Sequence, residues 1–352
     1  MSKRSKSVTL ADVAKHAGVG TTTVSRVING DDASVRPVTR ERVRLAINKL
    51  NYVPNVSARA LAGARHYRVA LIYSAEASFS FYLGSLVVNT LDAVTRKGMH
   101  MSVIKLPTEL SETEKVEQLR DALADVDGFV VPPPLADQQY IRNFLQDVDV
   151  PAVFLTGLPG KGRSRRVYID DFAAAYEMTE HLLSLGHERI GFIRGIETVF
   201  ESQERERGFK EAHRRMGLSV DENLIGQGNF TYDTALTAAD ELLARPDRPT
   251  AIFASNDEMA LACISVANRL GLTVPDDVSV AGFDASPLSV CVTPTLTSVE
   301  QPLPVMAEHA VDALANLLQN ADETDESQLD RTPVVVAHKL VLGGSTAAPK
   351  HA

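Results

Sequence analysis

Apolar residues recur at helical spacing near the start of this chain. Leu10, Val13, Ala14 and Ala17 form one set, and Val24, Val27 and Ile28 form another. Such spacing puts each set on one helix face. The first helix is predicted to begin after Thr9, whose hydroxyl can accept a bond from an otherwise unpaired N–H. Gly18 ends it, because the left-handed conformation costs glycine no Cβ clash, and Val19 plugs the turn into the core. The second helix runs from about residue 21 to 29 and leaves Thr21, Thr22, Ser25, Arg26 and Asn29 on its polar faces. A third helix carries Val43, Ala46, Ile47 and Leu50 inward, with Thr39 as its expected cap and Pro54 as its stop. Residues 55–63 predict a fourth, opened by Asn55 and closed by Gly63. Nine residues are too few for a stable isolated helix in water, so this segment should fold only against a partner chain or DNA.

Beyond residue 64 the pattern changes. Short β-branched runs at 69–73, 101–105, 128–131, 152–155, 190–193, 251–254 and 278–283 alternate with helix-length segments. Buried parallel strands joined by helices read this way. The stretch is too long for one ordinary core. It predicts two doubly wound parallel-sheet lobes with a ligand cleft beyond the carboxyl ends of the strands. The first lobe is expected over 67–168 and the second over 169–300, with a strand-like run, VVVAHKLVL, near the end. Residues 320–330 are acidic and aperiodic and read as a solvated loop. The terminal STAAPKHA reads as a disordered tail.

Charge sharpens this division. Residues 1–68 hold thirteen Lys/Arg and four Asp/Glu, a net of +9, whereas the whole chain carries −9, which leaves −18 on the remainder. A basic end on an acidic body points to nucleic acid as the partner of the first part. A helix, tight turn and second helix with a polar, small start is the layout of a DNA-reading helix-turn-helix. The first residues of the recognition helix reach base edges. Arg26 can bond a guanine bidentately, and a threonine methyl can touch a thymine methyl.

Other chemistries find little support. There is no glycine-rich phosphate turn after the first strand, no GxSxG, HExxH or CxxC, and the histidines His100, His187 and His213 lack metal-ligand spacing. No metal, cofactor or catalytic residue is expected. Cys263 and Cys291 are far apart, which fits a reducing cytoplasm. No run approaches the ~20 residues that span a bilayer, and no signal peptide is visible. That argues against an exported sugar-binding protein with the same two-lobed body. A sugar-processing enzyme with an added DNA-binding segment would need an acid–base pair or nucleophile in the cleft, and none stands out. Ligand candidates lie where strands end: Asn256 and Asp257 after one strand, Asp284 after another, Arg205 at a helix start and Phe230 after a short strand. Asp257 reads rather as a helix-terminus partner.

Together VTLADVAKHAGVGTTTVSRVIN, TRERVRLAINKLNYVPN and ARALAG resemble the DNA-binding headpiece of the lactose/galactose-repressor (LacI/GalR) family. SNDEMA, VPDDVSVAGFD and GHERIGFIRG resemble its body, and the similarity runs to about Thr346. The resemblance implies a helix-turn-helix domain over 1–54, a hinge helix and linker over 55–66, and an effector-binding and dimerisation body over 67–352. It also implies a crossover that returns the chain to the first lobe at 301–329 and to the second at 330–347. By the same resemblance Thr21, Thr22 and Arg26 read bases, with Thr9, Thr23, Ser25, Asn29, Asn55, Ser57 and Ala58 as further DNA contacts. Leu61 takes the place of a minor-groove wedge, whose unstacking cost is offset by the wider contact of bent DNA. Arg205, Phe230, Asn256 and Asp284 fall on effector contacts, Phe81 and Tyr82 on a pair of cleft aromatics, and Asp170 and Asp171 where the family often has Asp-Asn, with Asp170 as the implied effector contact. Two departures are Gly20, where the family usually has serine, and Ala285, where a second acidic residue often follows the matched aspartate. The implied function is a cytoplasmic repressor that binds a palindromic operator as a homodimer and is released by a small molecule. A sugar is the expected effector. The alternative is a co-repressor-dependent regulator that senses a nucleobase or sugar phosphate. Nothing supports a tetramerising coiled coil.

Overall fold

The computed structural model describes residues 8–28, 35–50, 52, 67–74, 81–320 and 331–350. The chain divides into two units, Met1–His66 and Tyr67–Ala352.

In the first unit α1 (Leu10–Ala17), α2 (Thr21–Ile28) and α3 (Pro37–Lys49) share a small core in which Val13, Val24 and Val43, one from each helix, are fully buried. The apolar stripes of the sequence are the faces that meet there. Thr9 opens α1 with a capping box: its hydroxyl accepts from the Asp12 N–H at 3.3 Å, and the Asp12 carboxylate accepts from the Thr9 N–H at 2.9 Å. Gly18 closes α1 at φ 61°. At the start of α2, the Gly20 carbonyl accepts from the N–H groups of Thr23 and Val24, and glycine has no hydroxyl to add. Helix α3 differs from expectation at both ends. Thr39 lies inside it, because Pro37 takes the first position, where its fixed φ suits the helix and its missing N–H costs nothing. The helix ends at Lys49, ahead of Pro54. The expected hinge helix at 55–63 lies outside the described residues.

The second unit contains two lobes. The first is built from β1 (Arg68–Ser74), α4 (Phe81–Arg96), β2 (His100–Leu106), α5 (Glu112–Ala122), β3 (Gly128–Val131), α6 (Gln139–Asp147), β4 (Ala152–Phe154) and β5 (Ser164–Tyr168). The second contains α7 (Asp171–Ser184), β6 (Ile190–Arg194), α8 (Phe200–Arg215), β7 (Ile225–Gln227), α9 (Tyr232–Leu243), β8 (Ala251–Ala254), α10 (Asp257–Arg269), β9 (Ser279–Asp284) and β10 (Thr297–Glu300). Helix α11 (Leu303–Gln319) returns to pack on α4, and β11 (Val334–Val335) and β12 (Lys339–Val341) follow.

The first sheet has the order β11-β5-β4-β3-β1-β2 and is parallel throughout. The second runs β12-β10-β9-β8-β6-β7, with only β12 antiparallel. Continuous apolar strands such as β3 and β8 are buried along their whole length, as expected when helices cover both faces. Strand order reverses beside β1 and beside β6. Ligands bind at such switch points, beyond the carboxyl ends of the strands.

Two strands were hidden in the sequence. Arg165 and Arg166 interrupt β5, and β10 is polar although Thr297 and Ser298 are fully buried. The terminal segment also differs. Val334–Val335 pairs with β5 and so extends the first sheet, whereas 330–347 was expected wholly in the second lobe. The described part of STAAPKHA, residues 345–350, is no loose tail: the Ser345 hydroxyl donates to the Val280 carbonyl at 2.5 Å, and Lys350 pairs with Asp276 at 2.9 Å. Small hydroxyl side chains let this backbone lie along the second sheet and bond to it. His187 is structural, its ring bonded to the Thr250 and Ser279 hydroxyls. No helix among the described residues is long and apolar enough to cross a membrane.

Candidate functional site

A cavity of about 370 Å³ lies between the two lobes. That volume is within the usual range for small-molecule sites. Tyr82, Pro133, Leu155 and Tyr168 line it from the first lobe, and Ile196, Val199 and Phe230 from the second.

Arg205, on the inner face of α8, is its centre. The residue is 5% exposed. Its Nε donates to Asp171 Oδ1 at 2.8 Å and its Nη1 to the Ser255 carbonyl at 2.6 Å. The guanidinium lies over Phe283, 3.6 Å from the ring centroid, and faces Phe230 at 5.7 Å. Burial opposes its charge, but Asp171, Asp284 and Glu201 outweigh that and raise its pKa. Burial raises the Asp171 carboxyl, while Arg205 pulls it back. Three of the five guanidinium N–H groups stay uncommitted by these two bonds.

Asp284 ends β9. Burial pushes its carboxyl up to about 8; Arg205 opposes the shift and nearby Asp257 adds to it. Gln301 Nε2 donates to its Oδ1 at 2.6 Å. Asp257 is almost wholly buried and ties α10 to the loop after β9, accepting from the Ser286 N–H and from the Ser298 hydroxyl, both at 2.6 Å. Its carboxyl is raised to about 6, chiefly by burial. Burial, Glu201 and Asp284 all raise the Tyr82 phenol, which therefore stays protonated.

Backbone strain gathers at this cleft. Among the described residues, four of the five non-glycine residues with positive φ are Asn229, Phe230, Asp284 and Ala285. Such conformations cost of order 1–3 kcal/mol each and persist where surroundings over-determine them. The Phe230 ring packs so closely on Gly195 that a Cβ there would lie 2.0 Å from it. Ala285, at φ 45°, holds a conformation that glycine and asparagine tolerate better. Ala285→Gly is therefore expected to raise the melting temperature by a few degrees, measured by scanning calorimetry, from a gain of about 1 kcal/mol. An unchanged or lower value would mean that the backbone there is not strained.

Two hydrogen bonds cross the cleft in opposite directions. Glu258, on α10 of the second lobe, accepts from the Phe81 N–H that starts α4 of the first, at 2.9 Å. Asp137, after β3 of the first lobe, accepts from the Phe200 N–H that starts α8 of the second, also at 2.9 Å. Each lobe thus supplies a carboxylate to a helix start of the other, a bond type worth about 0.5–2 kcal/mol.

Several expected residues sit as the sequence suggested, and others do not. Tyr82, Arg205, Phe230, Asn256 and Asp284 all line the cavity. Asn256 does so as a helix cap: its Oδ1 accepts from the Met259 N–H at 2.9 Å, and its Nδ2 donates to the Phe230 carbonyl at 3.1 Å, so it positions Phe230. Phe81 is not among the lining residues; it is 46% exposed, and its N–H bonds to Glu258 across the cleft. Asp170 is likewise displaced. Its carboxylate turns outward to cap α7, accepting from the Ala173 N–H, and the next residue, Asp171, points inward to Arg205. Glu201, Glu258 and Gln301 were missed. Glu201 had a signal, since it precedes Arg205 by four residues and shares its helix face. Gln301 had none, because it follows a strand hidden by its polar residues.

In the first unit α2 leaves Thr21, Thr22 and Arg26 exposed and Thr23 and Ser25 half-buried. Thr9 is exposed, but its hydroxyl donates to Asp12 at 2.7 Å and serves the capping box. Asn29, Asn55, Ser57, Ala58 and Leu61 lie outside the described residues. Among those described, no group of three His, Cys, Asp or Glu side chains is placed to hold a metal ion.

Two family models match the chain: the lacI family of bacterial regulatory proteins over residues 9–55 and a periplasmic binding protein-like domain over 179–346. The catabolite control protein A of Priestia megaterium is 33% identical over 341 residues, 96% of this chain and 99% of the relative. Among solved structures, a complex of the transcriptional regulator CelR with cellobiose matches with a TM-score of 0.71 at 33% identity, over 96% of this chain and 99% of that one. A lac repressor dimer bound to operator and the anti-inducer ONPF matches with a TM-score of 0.80 at 27% identity, over 97% and 100%.

Proposed function

The chain belongs to the lacI family of bacterial regulatory proteins and is a DNA-binding transcriptional regulator, and from that premise we propose a sugar-released repressor that binds its operator as a homodimer. The observation that carries this reading is the cleft around Arg205. Apolar and aromatic walls enclose a few convergent polar groups, the usual make-up of a small-molecule site. The CelR–cellobiose and lac repressor–operator structures, each matched over nearly the whole chain, give precedents for the two ligands.

In this reading Thr21, Thr22 and Arg26 reach base edges, and Leu61 wedges between base steps where two hinge segments meet. Helix α4 supports pairing of two copies: Val88 and Leu91, a turn apart, are 59% and 46% exposed, beside exposed Val103 on the edge strand β2. Sugar in the cleft changes the angle between the lobes and separates the hinges. The bonds from Phe81 to Glu258 and from Phe200 to Asp137 are the contacts such a motion works against. Ligand at a hundred times its Kd contributes about 2.7 kcal/mol, enough to outweigh one of them. The absence of effector-dependent turnover is an expectation, tested by incubating the protein with the sugar it binds.

Binding should carry a pH signature. Burial pushes the Asp284 carboxyl up to about 8, and Arg205, Asp257, Glu258 and Tyr82 face it. Hydroxyl groups that donate to it favour the ionised form. The bound state then has the lower pKa, so binding releases a proton below pH 8. Affinity should rise by roughly threefold to tenfold per unit from pH 6 to 8 and level off above. Titration calorimetry in two buffers of different ionisation enthalpy measures the release directly; no release at pH 7 would exclude Asp284 as an acceptor.

Operator binding tests the whole reading. A footprint over an inverted repeat near the protein's own gene, lost with one sugar, is the expected result. A footprint that only a nucleobase or sugar phosphate alters would favour the co-repressor alternative, and no specific footprint would overturn the assignment of α2.

A further inference from the structure

Gln227, the last residue of β7, makes three hydrogen bonds with one side-chain amide. Its Oε1 accepts from Arg194 Nε at 2.7 Å, and its Nε2 donates to the Gly195 carbonyl at 2.5 Å and to Asn229 Oδ1 at 2.6 Å. The partners fix which end is which. A guanidinium only donates and a carbonyl only accepts, so the amide oxygen faces Arg194 and the amide nitrogen faces Gly195. The two ends have separate tasks. The oxygen ties β7 to the end of β6, and the nitrogen grips the turn that follows.

That turn carries Phe230. Asn229 and Phe230 hold successive left-handed conformations, at φ 51° and 59°. Bulky residues rarely adopt this conformation, and it persists where the surroundings over-determine it. The Phe230 ring lines the cavity while lying on Gly195, so closely that a Cβ there would overlap it. Gln227 Nε2 therefore holds both halves of the contact: the glycine beneath the ring and the residue before it. Asn256 holds the Phe230 carbonyl as well. Arg194 extends the brace to α8, where Glu206, the neighbour of Arg205, lies 3.6 Å away. Phe230 and Arg205 face one another in the cleft and are joined a second time through Gln227, Arg194 and Glu206. Gln227 is not among the cavity-lining residues; it borders a separate groove with Thr237 and Glu241.

We propose that Gln227 is a positioning residue of the cleft: its amide nitrogen sets where the Phe230 ring stands, and so how tightly the ring holds the apolar face of a sugar. This rests on the reading of the cleft as a sugar site. The two ends of the amide can be separated by substitution. Gln227→Glu keeps an oxygen for Arg194 but turns a second one toward the Gly195 carbonyl and Asn229 Oδ1, two acceptors that repel it. Gln227→Leu loses all three bonds. Both free the ring, and only the second also unties β7 from β6.

The chain contains no tryptophan, so Phe230→Trp gives the full-length protein a single indole at the position in question. Without ligand, adding either Gln227→Glu or Gln227→Leu should lower the anisotropy of that indole and raise its quenching by acrylamide. Gln227→Glu should melt within a few degrees of its parent and Gln227→Leu below it. In the protein without the indole, titration calorimetry uses cellobiose, glucose and ribose as probes. Gln227→Glu should weaken whichever of them binds the wild type by about tenfold, within the range for coupled neighbours. In a Phe230→Leu background, with no ring to place, the same change should cost less than about twofold. An indole held equally in all three proteins would overturn the proposal. So would unchanged affinity in Gln227→Glu, or an equal loss in both backgrounds. Failure of every sugar to bind the wild type would overturn the sugar reading instead, and the indole would then judge Gln227 alone.

Discussion

Arg205→Ala is expected to lower the melting temperature of the protein by roughly 10 °C, as well as to abolish the response to effector. The guanidinium is buried against Asp171, and each partner is about 6% exposed at the side chain. Removing one member of such a pair leaves the other charge buried and uncompensated, at a cost of about 3–5 kcal/mol. In a body of this size each kcal/mol is worth about 2–4 °C. The Ser255 carbonyl and the face of Phe283 lose a partner at the same time. An alanine variant alone therefore does not separate a ligand contact from a structural one. A double variant does. Arg205→Met with Asp171→Leu replaces both charges with apolar groups, which is often neutral or stabilising for a buried pair. That protein should melt within a few degrees of wild type, hold its operator and ignore effector. If it regained stability and still responded to sugar, Arg205 would be a scaffold residue and the ligand contacts would lie elsewhere.

Arg26→Ala should weaken operator binding by about 1–3 kcal/mol, roughly tenfold to more than a hundredfold, with no change in folding. The side chain is exposed at the last turn of α2, so its loss opens no cavity. The pattern of loss identifies its partner. A base contact relaxes preference at one position of each half-site and leaves the salt dependence nearly unchanged. A phosphate contact weakens all sequences alike and reduces the salt slope by about one. Selection of binding sites from a random pool, with wild type and variant at one salt concentration, distinguishes the two. Equal loss across all sequences would remove Arg26 from the base-reading set.

Much of this organisation is written in periodicity. The stripes through Val13, Val24 and Val43 became the headpiece core, and the apolar runs at 128–131 and 251–254 became central strands with those bounds. The capping box at Thr9 was half visible, since its hydroxyl was expected and the reciprocal Asp12 bond was not. Where side chains contradict their setting, the pattern fell silent. Thr297 and Ser298 are buried in β10 because Asp257 and Ser345 satisfy them from distant parts of the chain. Pairings of that kind leave no local trace.

The site followed the same rule. Arg205, Asn256, Asp284 and Phe230 stand out in the sequence because strands end at them or because they match family motifs, and all four line the cavity. What each does required the fold: Asn256 caps and positions, and Asp170 yields to Asp171 by one step of the helix. Glu201 and Asp137 meet across a cleft from residues 64 apart in number, and no spacing within one element announces such a meeting. Ala285 reads as a mere departure in the sequence, whereas its positive φ gives the substitution a physical consequence.

The central claim is that the cleft and the operator compete through one shared conformational equilibrium. The most direct test is a closed thermodynamic cycle on the full-length protein. Operator affinity is measured with and without saturating sugar, and sugar affinity with and without saturating operator, at one salt concentration. Linkage requires the two ratios to be equal. The account predicts a weakening of at least fivefold, the same factor in both arms, and its disappearance in the double variant at Arg205 and Asp171. Sugar that binds equally well to the free protein and to the operator complex would contradict it.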